Sequence, residues 1–168
     1  LPPRQVRPAM STATPITVVL EQEQDFVFRL HFEGLDAPDV LSDEGPPLGH
    51  DQGPRPSHLL LAAIVNCLSA SLLFALRKYR NAPGRLRASI SAVAERNADG
   101  RLRLPRALAT LQLPEGSADY AHLERVLATF EDFCTVTQSV RQGIDVQVEV
   151  RDAQGQLLLG QAPAEAGL

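Results

Sequence analysis

Two cysteines, Cys67 and Cys134, are the residues of this chain best suited to covalent chemistry. A pair of thiols is the minimal dithiol redox unit. One thiolate attacks an oxidant and becomes a sulfenic acid, and the second condenses with it to a disulfide. Cys67 lies in "HLLLAAIVNCLSASLLFALRK", from His58 to Lys78, where Asn66, Ser69 and Ser71 are the only uncharged polar residues. Three readings of such a thiol compete: a membrane span, an inert core cysteine, or a reactive thiol in an apolar pocket. A lone buried cysteine is usually a small hydrophobe. Cys134 shifts that balance, because it falls at a break between two helical segments, where a helix N-terminus can lower a thiol's pKa.

The membrane reading is the weakest of the three. Leu59 to Leu76 is about as short as a spanning helix can be, and polar residues and alanines interrupt it. A central helix wrapped by the rest of one domain accounts for it better.

Hydrophobic residues make up 44% of the chain and charged residues 21%, an ordinary globular balance. The net charge of −4 gives no reason to expect a nucleic-acid partner. Arg77, Arg80, Arg85 and Arg87 cluster where a helix should end, and cations there complement the helix dipole. Two cysteines are too few for a disulfide-rich scaffold, and they lack the further ligands of a zinc site. Neither a metal nor an organic cofactor is expected. "LPPRQVRPAM" is followed by no apolar signal core, so the cytoplasm is the default address, with both thiols reduced. Residues 1–13 read as an extended leader, 14–160 as a single domain and 161–168 as a flexible tail.

The elements that must place the cysteines can be read along the chain. "TPITVVLEQ" and "DFVFRLHFE" read as strands joined through residues 22–25. In the second, Phe26, Phe28, Leu30 and Phe32 alternate with Val27, Arg29 and His31, giving one apolar and one mostly polar face. A loop rich in Gly, Pro and acids follows, with a short strand near Val40. The long helix starts near Pro56, a favoured first helical residue, and ends before "NAPG". A second hairpin turns at Ala98–Gly100, with Pro105 marking an irregularity. "SADYAHLERVLATFEDF" has helical spacing at Tyr120, Leu123, Val126, Leu127, Phe130 and Phe133, with Ser117 as its N-cap. A short helix closing at Gly143, the strand "IDVQVEVRD" and a last strand in "GQLLLG" complete the chain. The class is α+β with antiparallel hairpins. A helix apolar nearly all round needs more cover than one sheet gives, which favours an intertwined homodimer.

The two cysteine regions together resemble the OsmC/Ohr superfamily. "GPRPSHLLLAAIVNCLSASLLFALRK" is similar to its central-helix motif, at Gly53, Pro56, Leu59 to Leu61 and Cys67. "FCTVTQSVRQGIDVQVEV" is similar to its second motif, at Phe133, Cys134, Val136, Gly143 and the strand from Ile144. The resemblance implies an OsmC-like fold, an intertwined homodimer whose antiparallel sheets wrap long buried central helices. It also implies a thiol-dependent peroxidase acting on organic hydroperoxides. Cys67 would be peroxidatic, Cys134 resolving, and an external dithiol would restore the pair. Leu60, Ile64, Leu68 and Phe74 would line a slot for an alkyl chain, or else are simply core.

The chain departs from the peroxidase pattern just after the helix-starting proline. Active members carry a carboxylate there that holds an arginine, and the arginine favours the thiolate. Ser57 and His58 stand at the two candidate positions. His58 could substitute as a polar partner or base, or could be a surface histidine. Asp43, Glu44 and Asp51 could supply the carboxylate instead. Arg29 is the candidate arginine, or a solvated strand residue. Ser57 and Cys67 lie roughly 15 Å apart along a helix, so the helix start could reach a thiol only across a dimer interface. The alternative function keeps the fold without peroxidase chemistry and binds a small hydrophobic ligand in the same pocket.

Overall fold

The structure, a computed structural model, describes residues 13–160. The tail expected over 161–168, and all but the last residue of the expected leader, lie outside the described residues. The chain divides into two compact units, one ending at Pro56 and the other beginning at Ser57.

The first unit holds a three-stranded antiparallel sheet of β1 (Val18–Gln24), β2 (Val27–Phe32) and β3 (Val40–Ser42), in that order. The β1–β2 turn is tighter than expected. Asp25 adopts a left-handed φ of 44°, and Phe26 leaves the strand for the turn. The apolar face expected on Phe26, Phe28, Leu30 and Phe32 is therefore broken, and the buried residues of β2 are Val27 and Leu30.

Beyond β3 the backbone doubles back tightly around Asp43. This buried carboxylate accepts amide hydrogens from Glu44, His50 and Gln52 at 2.7, 2.9 and 3.1 Å. Those donors, Gln52 first among them, hold its pKa below the usual carboxylate range. Gly53 is required here: a side chain would collide with the Leu41 carbonyl.

The second unit is organised around α1 (Pro56–Lys78). Its end is a Schellman motif, with the Asn81 amide bonded to the Leu76 carbonyl at 3.0 Å and the Arg80 amide to Arg77 at 2.9 Å. Arg80 supplies the left-handed residue, φ 61°, where glycine is usual. Arg80→Gly is expected to raise stability by up to about 1 kcal/mol, read as a higher urea midpoint at unchanged slope.

Four strands, β4 (Arg87–Ala92), β7 (Arg106–Gln112), β8 (Asp145–Arg151) and β9 (Leu157–Leu159), form one sheet in the order β4-β7-β8-β9. Between β4 and β7 the hairpin carries a separate pair, β5 (Glu95–Arg96) and β6 (Leu102–Arg103), and Pro105 marks the interruption. The hairpin pairings are antiparallel, as the sequence suggests. β7 and β8 instead run parallel, from Arg106 beside Asp145 to Gln112 beside Arg151. The long connection from 113 to 144 permits this by returning the chain to the starting end of β7.

That connection is not the continuous amphipathic helix expected from Ser117. It comprises a 3-10 turn at Ser117–Asp119, α2 (Leu123–Thr129), a second 3-10 turn at Phe130–Phe133 and α3 (Thr135–Val140). His122, left-handed at φ 54°, prevents one helix from running through, so α2 starts at Leu123 and Ser117 caps nothing. Val126 and Phe130 are buried as their spacing suggests, whereas Phe133 is 62% exposed.

Ile64, Leu68, Leu72 and Leu76 repeat every fourth residue along one face of α1 and are fully buried. They pack with Leu111, Leu113, Val126, Phe130 and Val150 in the core of this unit. The opposite face, with Ala62, Ala63, Asn66, Ala70 and Phe74, is exposed. The expected long buried helix is thus buried along one stripe.

Candidate active site

Cys67 sits on α1 directly beside Leu68, at the edge of the buried stripe, so its thiol is partly covered and packs against the core. Cys134 belongs to the crossover between β7 and β8 and has no solvent exposure. Its extended backbone, φ −81° and ψ 93°, separates the 3-10 turn at Phe130–Phe133 from α3. Two bonds fix that corner: the Cys134 amide donates to Glu131 at 3.0 Å, and the Cys134 carbonyl accepts from Gln138 at 3.0 Å. An ion pair between Arg141 and Glu131, 2.6 Å, clips α3 to the preceding turn.

The folding of α1 against this corner places both thiols at one core cluster, close enough to act on each other electrostatically. The sulfur of Cys134 also lies 3.0 Å from Thr137 Oγ1. Burial raises the Cys134 pKa, the Cys67 thiol raises it further, and Thr137 opposes both. This reverses the expectation that a helix start would lower it. Removal from solvent outweighs the few donors α3 presents.

The remaining expected residues are placed as follows. Ile64 and Leu68 belong to the core, Leu60 is half-buried and Phe74 is 63% exposed on the other face of α1, so the four do not line one slot. His58 is exposed in the first turn of α1, roughly 14 Å of helix rise before Cys67. Ser57 and Leu60 border a separate apolar groove of about 650 Å³, completed by Leu102, Leu104, Pro105 and Ile144. Within the first unit Arg29 is ion-paired to Glu23 and lies 3.9 Å from Asp39. Of the three loop carboxylates, Asp43 is committed to backbone amides and Asp51 holds Arg55 at 2.8 Å. Thr137 was not singled out by sequence reasoning. Its signal was the three-residue spacing from Cys134 across a helix start.

A mixed sheet with a core helix carrying one of two neighbouring free thiols defines a protein of α+β architecture. The sequence pattern of the family described as "OsmC-like protein" matches residues 49–149, so the chain belongs to that family. The match spans both cysteines. No curated protein matches the chain.

Solved structures share the fold. An OsmC-like protein of unknown function from Vibrio cholerae superposes with a TM-score of 0.69 at 15% identity, covering 82% of this chain and 99% of its own. An OsmC-like protein from Mycoplasma pneumoniae gives 0.65 at 16%, covering 85% and 99%. An organic hydroperoxide resistance protein from Elizabethkingia anophelis gives 0.66 at 14%, covering 85% and 99%.

Proposed function

We propose that this protein reduces organic hydroperoxides in a two-cysteine cycle, with Cys67 peroxidatic and Cys134 resolving. The observation that carries this reading is that the two thiols meet at one core cluster, close enough to act on each other electrostatically. Cys67 keeps some access to solvent and Cys134 has none, so an incoming oxidant meets Cys67 first. The Cys67 thiolate attacks the distal peroxide oxygen, the O–O bond breaks, and the alkoxide leaves as an alcohol on taking up a proton. Cys134 then attacks the sulfenic sulfur, releasing water and leaving a disulfide. An external dithiol returns the two electrons in a reducing compartment such as the cytoplasm. The hydroperoxide-resistance relative supports the substrate class.

His58 is too far along α1 to reach Cys67 of its own chain, so its proposed role is at the site of a second copy. The exposed apolar face of α1 supports a homodimer, since its small residues let another helix approach closely. Phe74→Glu is expected to shift the protein from dimer to monomer in sedimentation velocity.

The deciding experiment adds one equivalent of cumene hydroperoxide to the reduced protein. The expected result is loss of both free thiols and of two mass units, within seconds. Thiols that stay reduced for hours would sink the mechanism. That result would leave ligand binding in the apolar groove beside Ser57 and Leu60 as the better reading.

A further inference from the structure

We propose that Thr137 is a positioning residue that readies the Cys134 sulfur to close the disulfide with Cys67. This inference rests on the two-cysteine reading. In the closing step Cys134 Sγ bonds to the Cys67 sulfur and the S–O bond of the sulfenic acid breaks. The Cys134 proton leaves with that oxygen as water. The difficult part is putting charge on a sulfur that has no contact with solvent.

Thr137 is placed to ease that step. Its side chain is fully buried, and among the described residues its hydroxyl has one hydrogen-bond partner, Cys134 Sγ at 3.0 Å. A hydroxyl both accepts and donates. It can take the S–H bond of the resting thiol, then turn and donate to the sulfur as negative charge develops. The distance is held by the first turn of α3, where Gln138 bonds back to Cys134 and Arg141 to Thr137, both at 3.0 Å. The donor is therefore in place before the charge appears. Packing alone does not call for it: valine has nearly the same shape and would bury no polar atom. The raised pKa of Cys134 agrees with this need, since burial and the neighbouring thiol oppose ionisation while Thr137 favours it.

The test compares Thr137→Val and Thr137→Ser with wild type, closing the disulfide by two routes. One uses cumene hydroperoxide. The other uses diamide, whose N=N bond takes up the first thiol. The second thiol then displaces a hydrazine, so two electrons and two protons pass to nitrogen. Thr137→Val should close about tenfold more slowly by both routes, the factor expected for a lost hydrogen bond to a charged group. Dimedone should then trap more Cys67 sulfenic acid on the peroxide route, at an unchanged or higher melting temperature. Thr137→Ser should restore the rate. Closure of the valine variant at the wild-type rate would overturn the proposal, and so would a serine variant as slow as valine. If Thr137→Val does not fold, Thr137→Ala is judged by the same criteria. A wild-type protein that ignores the hydroperoxide but closes with diamide defeats the peroxidase reading alone. The diamide rates then still decide the part played by Thr137.

Discussion

Cys67→Ser is expected to lower hydroperoxide consumption by at least about 1000-fold, to the uncatalysed background, with the fold intact. The fold should survive because Cys67 lies at the edge of the buried stripe, where a smaller, polar atom keeps partial access to water. Chemistry should not survive, because a serine hydroxyl is not ionised at neutral pH and is a poor nucleophile without a base. Cys134→Ser should behave differently. Its first turnover should proceed at the wild-type rate and stop after one equivalent, with a sulfenic acid on Cys67. The serine can keep a hydrogen bond to Thr137, so burial of its hydroxyl costs little. Peroxide consumption with dimedone trapping checks both variants. A full loss of the first turnover in Cys134→Ser would move the peroxidatic role to Cys134.

Leu72→Ala is expected to cost roughly 2–5 kcal/mol of unfolding free energy, measured by urea denaturation of the reduced protein. Leu72 is fully buried on α1, in the core shared with the four-stranded sheet and the crossover. The substitution removes methyl groups from close packing and leaves a cavity that strands on one side and a helix on the other cannot collapse to fill. Phe74, two residues on, is larger yet mostly exposed. The size of a side chain therefore does not predict its cost on this helix; the face does. A loss below about 1 kcal/mol at Leu72 would mean that this face is loosely packed.

That contrast shows where sequence reading reached its limit. The start of α1 at Pro56 and the hairpins were legible, because each has a local signal: a proline, a turn. Which face of α1 is buried was not, since a helix apolar all round gives periodicity nothing to mark. Phe74 was accordingly grouped with Ile64 and Leu68, from which the structure separates it. The parallel pairing of β7 and β8 was hidden because alternation along a strand says nothing about its neighbour's direction. The left-handed His122 carried no glycine to announce the break before α2. The direction of the Cys134 pKa was misjudged because burial, a property of the whole fold, outweighed position at a helix start.

The placing of one thiol on α1 and the other on the crossover has a further consequence. In the proposed cycle the oxidised form joins residues 67 and 134, enclosing β4 to β7 and α2 within a single covalent ring. Such a ring removes about 4 kcal/mol worth of freedom from the unfolded chain on the loop-entropy model. The reduced form would open more often and expose itself to proteases, whereas the oxidised form would resist them. The cell's redox poise would then govern how long each copy of the protein survives as well as whether it is ready to react.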